Sequence, residues 1–203
     1  LIKRLFDIAV SLTGLIILSP LFLVIAVIIK LDSKGPVFYQ AERIGRYSKP
    51  FIMYKFRTMV SGAEKLGGSS TAENDIRITK VGGFLRKTLL DELPQLINVL
   101  RGEMSLVGPR PEVEEYTRLY TEEERVIFRV RPGMTDYAST KFMNLNKILT
   151  RSDDPDKDYK ENIRPEKNRL RVAYATHNSI WIDFKIILMT LKKMVSDKWS
   201  TRG

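Results

Sequence analysis

Between Leu5 and Ile29 almost every position is apolar, Asp7 carrying the one charge, while Lys3 and Arg4 precede the run and Lys30 and Lys34 follow it. As a helix such a run is roughly 37 Å long, more than a hydrocarbon core of about 30 Å. It belongs in lipid. The apolar region is too long for a cleavable signal peptide, and no small-residue cleavage site is evident. Ser19 and Pro20 fall near its middle, where proline removes a backbone donor and clashes with the preceding turn, although kinked spanning helices tolerate this as well. Basic residues at both ends supply no positive-inside asymmetry to orient a span. The residues alone leave a single span and a re-entrant dip evenly balanced.

Downstream the pattern changes character. Val37-Phe38-Tyr39 and Phe51 to Phe56 are strand-forming, with a turn-like stretch from Gly45 to Pro50 between them, which predicts a β-hairpin. Gly62 to Asn74 reads as a surface loop, and Gly82-Gly83 lacks the strand and spacing of a dinucleotide-binding turn. Leu90, Leu93, Leu96, Ile97 and Leu100 recur on one face of a helical period, leaving Asp91, Gln95 and Asn98 on another. Thr88 with Asp91 fits a helix-start box, Pro94 fits an opening turn and Arg101-Gly102 a helix end. Thr121 to Glu124 is a second capping box, whose helix stops at Arg131-Pro132-Gly133. Arg151 to Glu166 reads as loop. Leu170 to Trp199, broken near Asn178-Ser179, mixes apolar and basic residues; interfacial helices with Trp181 and Trp199 at headgroup depth and a packed terminal helix pair account for it equally.

At 203 residues with no large shift in composition, the chain reads as one α+β, mainly helical domain: a membrane segment over 1–34, a core over 35–150 and a C-terminal part over 151–203. Without cysteine there is no disulfide framework or thiol nucleophile, and with His177 as the only histidine there is no histidine triad or multi-histidine metal site. A net charge of +10 calls for anionic partners. No helix-turn-helix, zinc or RNA-binding signature appears, so nucleic acid is not expected among them.

Acidic residues in a helix's first turn are often plain capping groups, and Asp91 and Glu92 judged locally are no exception. An ionised Asp there is also a candidate nucleophile or Mg²⁺ ligand. Larger blocks bear on the choice: Arg43-Ile-Gly45, Phe51 to Met59, Asp75 to Thr79, Leu85-Arg86, Asp91-Glu-Leu-Pro-Gln95, Asn98-Val-Leu, Gly102 to Pro111 with its Pro109-Arg110-Pro111 turn, and Val130 to Gly133. Together they resemble the bacterial sugar transferases known as monotopic phosphoglycosyl transferases, over almost the whole chain.

The resemblance implies transfer of a sugar 1-phosphate from a UDP-sugar to a polyprenyl phosphate (undecaprenyl phosphate) with Mg²⁺, releasing UMP through a phosphosugar-aspartyl intermediate. That is a first membrane step in making exopolysaccharide, O-antigen, capsule or glycoprotein glycan. It also implies a re-entrant membrane helix broken at Ser19-Pro20, seated among membrane lipid on the cytoplasmic face of the inner membrane. Asp91 and Glu92 become the catalytic pair, Asp91 also the metal ligand. Lys55, Arg57, Arg86, Gln95 and Arg110 become substrate-binding residues, Arg110 foremost because flanking prolines restrict its turn. After Arg131-Pro-Gly the sequence leaves the family pattern: Met134 to Met143 replaces a stretch containing Gln-Val and Gly-Arg elements. Asp136, Tyr137 and Ser139 are candidates there by position alone, Tyr137 being assigned to the nucleotide-sugar. A non-catalytic, membrane-anchored basic scaffold explains the charge and the anchor but leaves the acidic pair unexplained. A homodimer is left open.

Overall fold

The computed structural model describes residues 1–63, 75–143, 145 and 155–200. Most of the expected loop from Gly62 to Asn74, residues 151–154, and the side chain of Trp199 lie outside that set.

The apolar run forms one helix, α1 (Ile2–Asp32), with Pro20 inside it. Proline has no N–H for the Ile16 carbonyl, and the Ser19 hydroxyl donates to that oxygen instead, at 2.8 Å. In lipid an unpaired carbonyl costs several kcal/mol, so this serine repairs what the proline removes. The expected break is thus a repaired position in a continuous helix, not a gap between two helices.

Both ends of α1 are fastened to the rest of the protein. Near its start, Arg4 donates to the Val99 and Leu100 carbonyls at 2.6 and 2.9 Å. Lys3 bridges Asp183, and buried Asp7 accepts from the Ser105 hydroxyl and the Leu106 N–H, each at 3.1 Å. Near its end, Ile25 and Ile29 pack with Phe56 and Leu85, and Asp32 accepts from the Val81 N–H. Between these anchors Val10, Leu12, Ile16, Ile17, Leu23, Val24 and Val27 stay exposed.

Strands β1 (Phe38–Ile44) and β2 (Pro50–Phe56) form the expected antiparallel hairpin, Phe38 opposite Phe56 and Ile44 opposite Pro50. Helix α2 (Lys80–Thr88) follows, capped by the Thr79 hydroxyl on the Gly82 N–H. A Cβ on Gly82 would sit 2.0 Å from the Thr58 carbonyl oxygen, so this glycine serves the close packing of α2 on Thr58. Helix α3 (Gln95–Arg101) ends at left-handed Gly102.

Short strands β3 (Ser105–Val107) and β4 (Gly133–Thr135) pair in parallel. Between them lie a single turn, α4 (Glu114–Thr117), and a 3-10 helix over Glu124–Arg129. The reciprocal bonds of the second capping box, Glu124 N–H to Thr121 Oγ1 and Thr121 N–H to Glu124 Oε2, open that 3-10 helix as expected.

The C-terminal part holds α5 (Tyr137–Lys141), α6 (Pro155–Asp158), a π-helical turn (Tyr159–Ile163), α7 (Arg164–Thr176) and α8 (Ile180–Ser200). The stretch from Pro155 to Glu166, expected as loop, is helical. Its polar residues lie along helices whose inner faces are themselves polar: Asn168 and Arg171 of α7 are buried. The break at Asn178-Ser179 falls between α7 and α8. Tyr174 and Ile186 pack on Val107, while Trp181, Phe184, Leu188, Leu191 and Val195 form an exposed stripe along α8. One face of the terminal helix pair is therefore packed and the other is open.

Candidate active site

Asp91 and Glu92 are not in the first turn of a long helix. Thr88 ends α2, its hydroxyl bonded to the Phe84 and Leu85 carbonyls, so it caps nothing ahead of it. Leu89 then takes a left-handed conformation, φ 58°, rarely adopted by a residue with a branched side chain. The chain turns sharply and Leu90–Glu92 form one 3-10 turn before Pro94 starts α3. Leu90 and Leu93 pack against the Ile25–Ile29–Phe56 cluster and so aim the two carboxylates away from it.

The carboxylates have opposite surroundings. Glu92 is clamped: Lys55 Nζ donates to Oε1 at 2.8 Å, Arg110 Nη1 to Oε2 at 3.0 Å, and Arg110 Nη2 to Oε1. Burial alone would raise its pKa, but the Arg110 and Lys55 charges and their hydrogen bonds overcome that and hold Glu92 well below the usual carboxylate range. Asp91 is 7% exposed and accepts no hydrogen bond among the described residues, its nearest cation being Lys55 at 3.9 Å. Burial pushes its carboxyl up; Lys55 opposes this and the Glu92 charge adds to it.

The cations are placed by the fold. Lys55 projects from β2, which α3 holds through Asn98: its side chain accepts from the Tyr54 N–H at 3.0 Å and donates to the Ile52 carbonyl at 2.6 Å. Arg110 is delivered by the turn after β3. That turn is fixed by Gly108 N–H on the Thr135 carbonyl and Gly133 N–H on the Pro109 carbonyl, both 3.0 Å. A Cβ on Gly133 would meet the Gly108 nitrogen at 2.0 Å, so the close approach of the two segments requires glycine there. Arg86 is tied by Nε to the Thr58 hydroxyl at 2.8 Å, and Asp91 is the strongest opposite charge it feels. Arg43 of β1 faces Arg110 and Glu112.

Three expected residues are used differently. Arg57 donates to the Ile29, Ser33 and Lys34 carbonyls and so staples the end of α1 instead of joining the carboxylates. Gln95 is fully buried, with neither amide atom partnered in the structure. Tyr137 packs against the Val107–Tyr174–Ile186 cluster, and with Leu170 and Met189 lines a groove between α5, α7 and α8.

Sequence reading named Asp136 and Ser139 by position only and missed the buried ion-pair layer behind the turn to which Asp136 belongs. Arg171 of α7, 2% exposed, pairs with Glu112 at 2.5 Å and lies 3.6 Å from Asp136. Asp136 caps α5 through the Ser139 N–H and accepts from the Arg110 N–H at 3.1 Å. Glu112 follows Pro111 directly and was findable by adjacency; nothing in the sequence pointed to Arg171.

Among the described residues no three acidic or imidazole side chains stand together as a metal site. A buried carboxylate that accepts no hydrogen bond among the described residues nevertheless suits Mg²⁺, which typically takes one or two protein carboxylates and completes its shell with substrate phosphates and water. Asp91 has that character and Glu92, saturated by N–H donors, does not.

Comparison with known proteins gives one consistent result. The family described as bacterial sugar transferase matches residues 1–197. The chain is 36% identical over 196 residues to the uncharacterized sugar transferase EpsL of Bacillus subtilis (strain 168), covering 96% of this chain and 88% of that protein. It is 41% identical over 194 residues to the UDP-glucose:undecaprenyl-phosphate glucose-1-phosphate transferase of Klebsiella pneumoniae, covering 94% of this chain but 39% of that longer protein. A third relative, the UDP-N-acetylgalactosamine-undecaprenyl-phosphate N-acetylgalactosaminephosphotransferase of Aeromonas hydrophila, is 35% identical over 202 residues, covering 96% of this chain and 44% of that one.

Proposed function

Because the chain belongs to the bacterial sugar transferase family, we propose that it moves a sugar 1-phosphate from a UDP-sugar to a polyprenyl phosphate, undecaprenyl phosphate in bacteria, at the membrane surface. The observation that carries this reading is the contrast between adjacent carboxylates: Glu92 locked by Arg110 and Lys55, Asp91 buried beside them without a hydrogen bond among the described residues.

In the first step an Asp91 oxygen attacks the phosphorus bearing the sugar. The bond from that phosphorus to the bridging oxygen breaks, and UMP leaves with the bond's electron pair. In the second, an oxygen of the polyprenyl phosphate attacks the same phosphorus, the bond to Asp91 breaks, and the carboxylate is restored. Mg²⁺ held by Asp91 and the substrate phosphates would neutralise diphosphate charge. Glu92 works as the electrostatic keystone that keeps Lys55 and Arg110 over the site, since both its oxygens already accept N–H donors. Lys55, Arg86 and Arg110 bind phosphate oxygens with their remaining donors. The acceptor phosphate is already ionised near neutral pH and needs little help from a base.

We place the enzyme on one face of the membrane. A helix with Asp7 bonded to Ser105 at one end and Ile29 packed on Phe56 at the other is tied to one globular body at both ends, which supports a dip over a crossing.

The test is incubation of the detergent-solubilised protein with Mg²⁺ and a panel of UDP-sugars, first without and then with undecaprenyl phosphate. A mass increase of one sugar phosphate and one equivalent of UMP are expected without acceptor, and continuous UMP release with it. UMP release that strictly requires the acceptor would remove the covalent step, and none with any UDP-sugar would remove the function.

A further inference from the structure

One turn before Arg171 on the same face of α7 stands Lys167. Its ammonium lies 5.3 Å from the centre of the Tyr159 ring and makes no hydrogen bond or ion pair among the described residues. Tyr159 opens the π-helical turn between α6 and α7, and the Tyr116 ring meets it edge-on at 5.9 Å. Single π turns concentrate at functional sites.

The groups facing Lys167 come from four places: Arg171 on its own helix, Arg110 and Glu112 from the Pro-Arg-Pro segment, Asp136 from the cap of α5, and Tyr159. Both carboxylates are already engaged. Glu112 accepts from Arg171 and from the Tyr120 hydroxyl at 3.0 Å, and Asp136 from Ser139 and the Arg110 N–H. Lys167 is therefore a half-buried cation with two guanidinium neighbours and no carboxylate of its own. Burial, then Arg171, lower its pKa to about 8. A cation left in this state is costly unless an anion arrives.

We propose that Lys167 binds the phosphate of the donor's nucleotide half, alongside Arg110, with the Tyr159 and Tyr116 rings as the wall for the base. This rests on the transfer function proposed above. The aromatic pair favours a nucleotide over the acceptor lipid, whose phosphate carries nothing to stack on a ring. It also relocates nucleotide recognition from Tyr137 to the segment 159–167.

The test compares binding of UMP, uridine and inorganic phosphate to the full chain and to Lys167→Met and Lys167→Arg. Lys167→Met removes no hydrogen bond or ion pair among the described residues, only the approach to the Tyr159 ring, so its melting temperature should stay within a few degrees of wild type. It should lose about tenfold in UMP affinity, as for one charge-assisted hydrogen bond, with uridine unaffected. Lys167→Arg should retain UMP. Wild-type affinity for UMP should fall above about pH 8 while the Arg variant stays flat, UMP itself being fully ionised there. Equal UMP binding by wild type and Lys167→Met, an equal loss for uridine, or a raised KM confined to polyprenyl phosphate would each overturn the proposal. UMP release is measured on the same preparation: a wild type that binds UMP through Lys167 but releases none from any UDP-sugar refutes the transfer reaction and leaves the phosphate site standing.

Discussion

Replacing Glu92 by Gln separates the two carboxylates experimentally, because it removes one charge and keeps the shape. In the native protein this charge meets Lys55 and Arg110, whose side chains are 20% and 28% exposed. Breaking a fully buried pair costs about 3–5 kcal/mol, and partial exposure brings the expectation here to about 2 kcal/mol. In a chain of this size that lowers the melting temperature by roughly 4–8 °C. The loss has a pH signature. Glu92 has a depressed pKa in the folded state, so its stabilisation is complete above the unfolded value of about 4.3 and is lost as pH falls through the lower folded value. Wild type and variant should therefore differ most at neutral pH and converge in acid. Turnover should slow by about 100-fold through misplacement of Arg110 and Lys55. Adduct formation should shift the other way in pH. Glu92 raises the pKa of Asp91, so its neutralisation leaves Lys55 and Arg110 to lower it. Intact-protein mass spectrometry with a UDP-sugar alone, across a pH series, should show the acid limb of adduct formation at lower pH in Glu92→Gln and at higher pH in Lys55→Met. An acid limb that stays fixed, or that moves the same way in both variants, would refute this account of the pair.

Asp91→Asn should abolish both adduct and turnover while the melting temperature stays within a few degrees of wild type; sustained transfer would end its assignment as nucleophile. Asn98→Ala unties β2 from α3 and leaves the Tyr54 N–H and Ile52 carbonyl without their side-chain partner, so a loss of about 2–3 kcal/mol in thermal unfolding is expected. Single cysteines at positions 3 and 34 should react identically with an impermeant reagent in sealed vesicles, and opposite accessibility would establish a crossing helix.

Local rules found what local physics determines. The hairpin was legible because its strand formers flank a turn, and the box at Thr121 because a hydroxyl and a carboxylate three residues apart satisfy each other's backbone. The same rules misplaced Thr88, which has the right neighbours for a cap but ends the preceding helix, since the left-handed turn at Leu89 has no sequence signal of the kind a glycine would give. Arg57 shows a different limit. Its motif neighbourhood resembles that of Lys55, and strand alternation would put both on one face, but β2 ends at Phe56 and Arg57, just beyond it, turns to the carbonyls ending α1. Arg171 was invisible for a third reason: it pairs across more than fifty residues with Glu112, and no periodicity encodes such a contact.

The membrane helix and the carboxylates are built from common parts. Leu90 and Leu93, which bracket Asp91 and Glu92, rest on the cluster containing Ile25 and Ile29, and Phe56 of that cluster is the residue after Lys55. Asp7 at the other end of α1 holds the start of β3, whose far end launches the Pro-Arg-Pro turn carrying Arg110. Moving either end of α1 away from the globular body would therefore displace one of the two cations that hold Glu92. This geometry couples correct seating of the anchor to a formed active site, and it sets Asp91 near the foot of the apolar helix, where a polyprenyl phosphate would present its headgroup without leaving the bilayer.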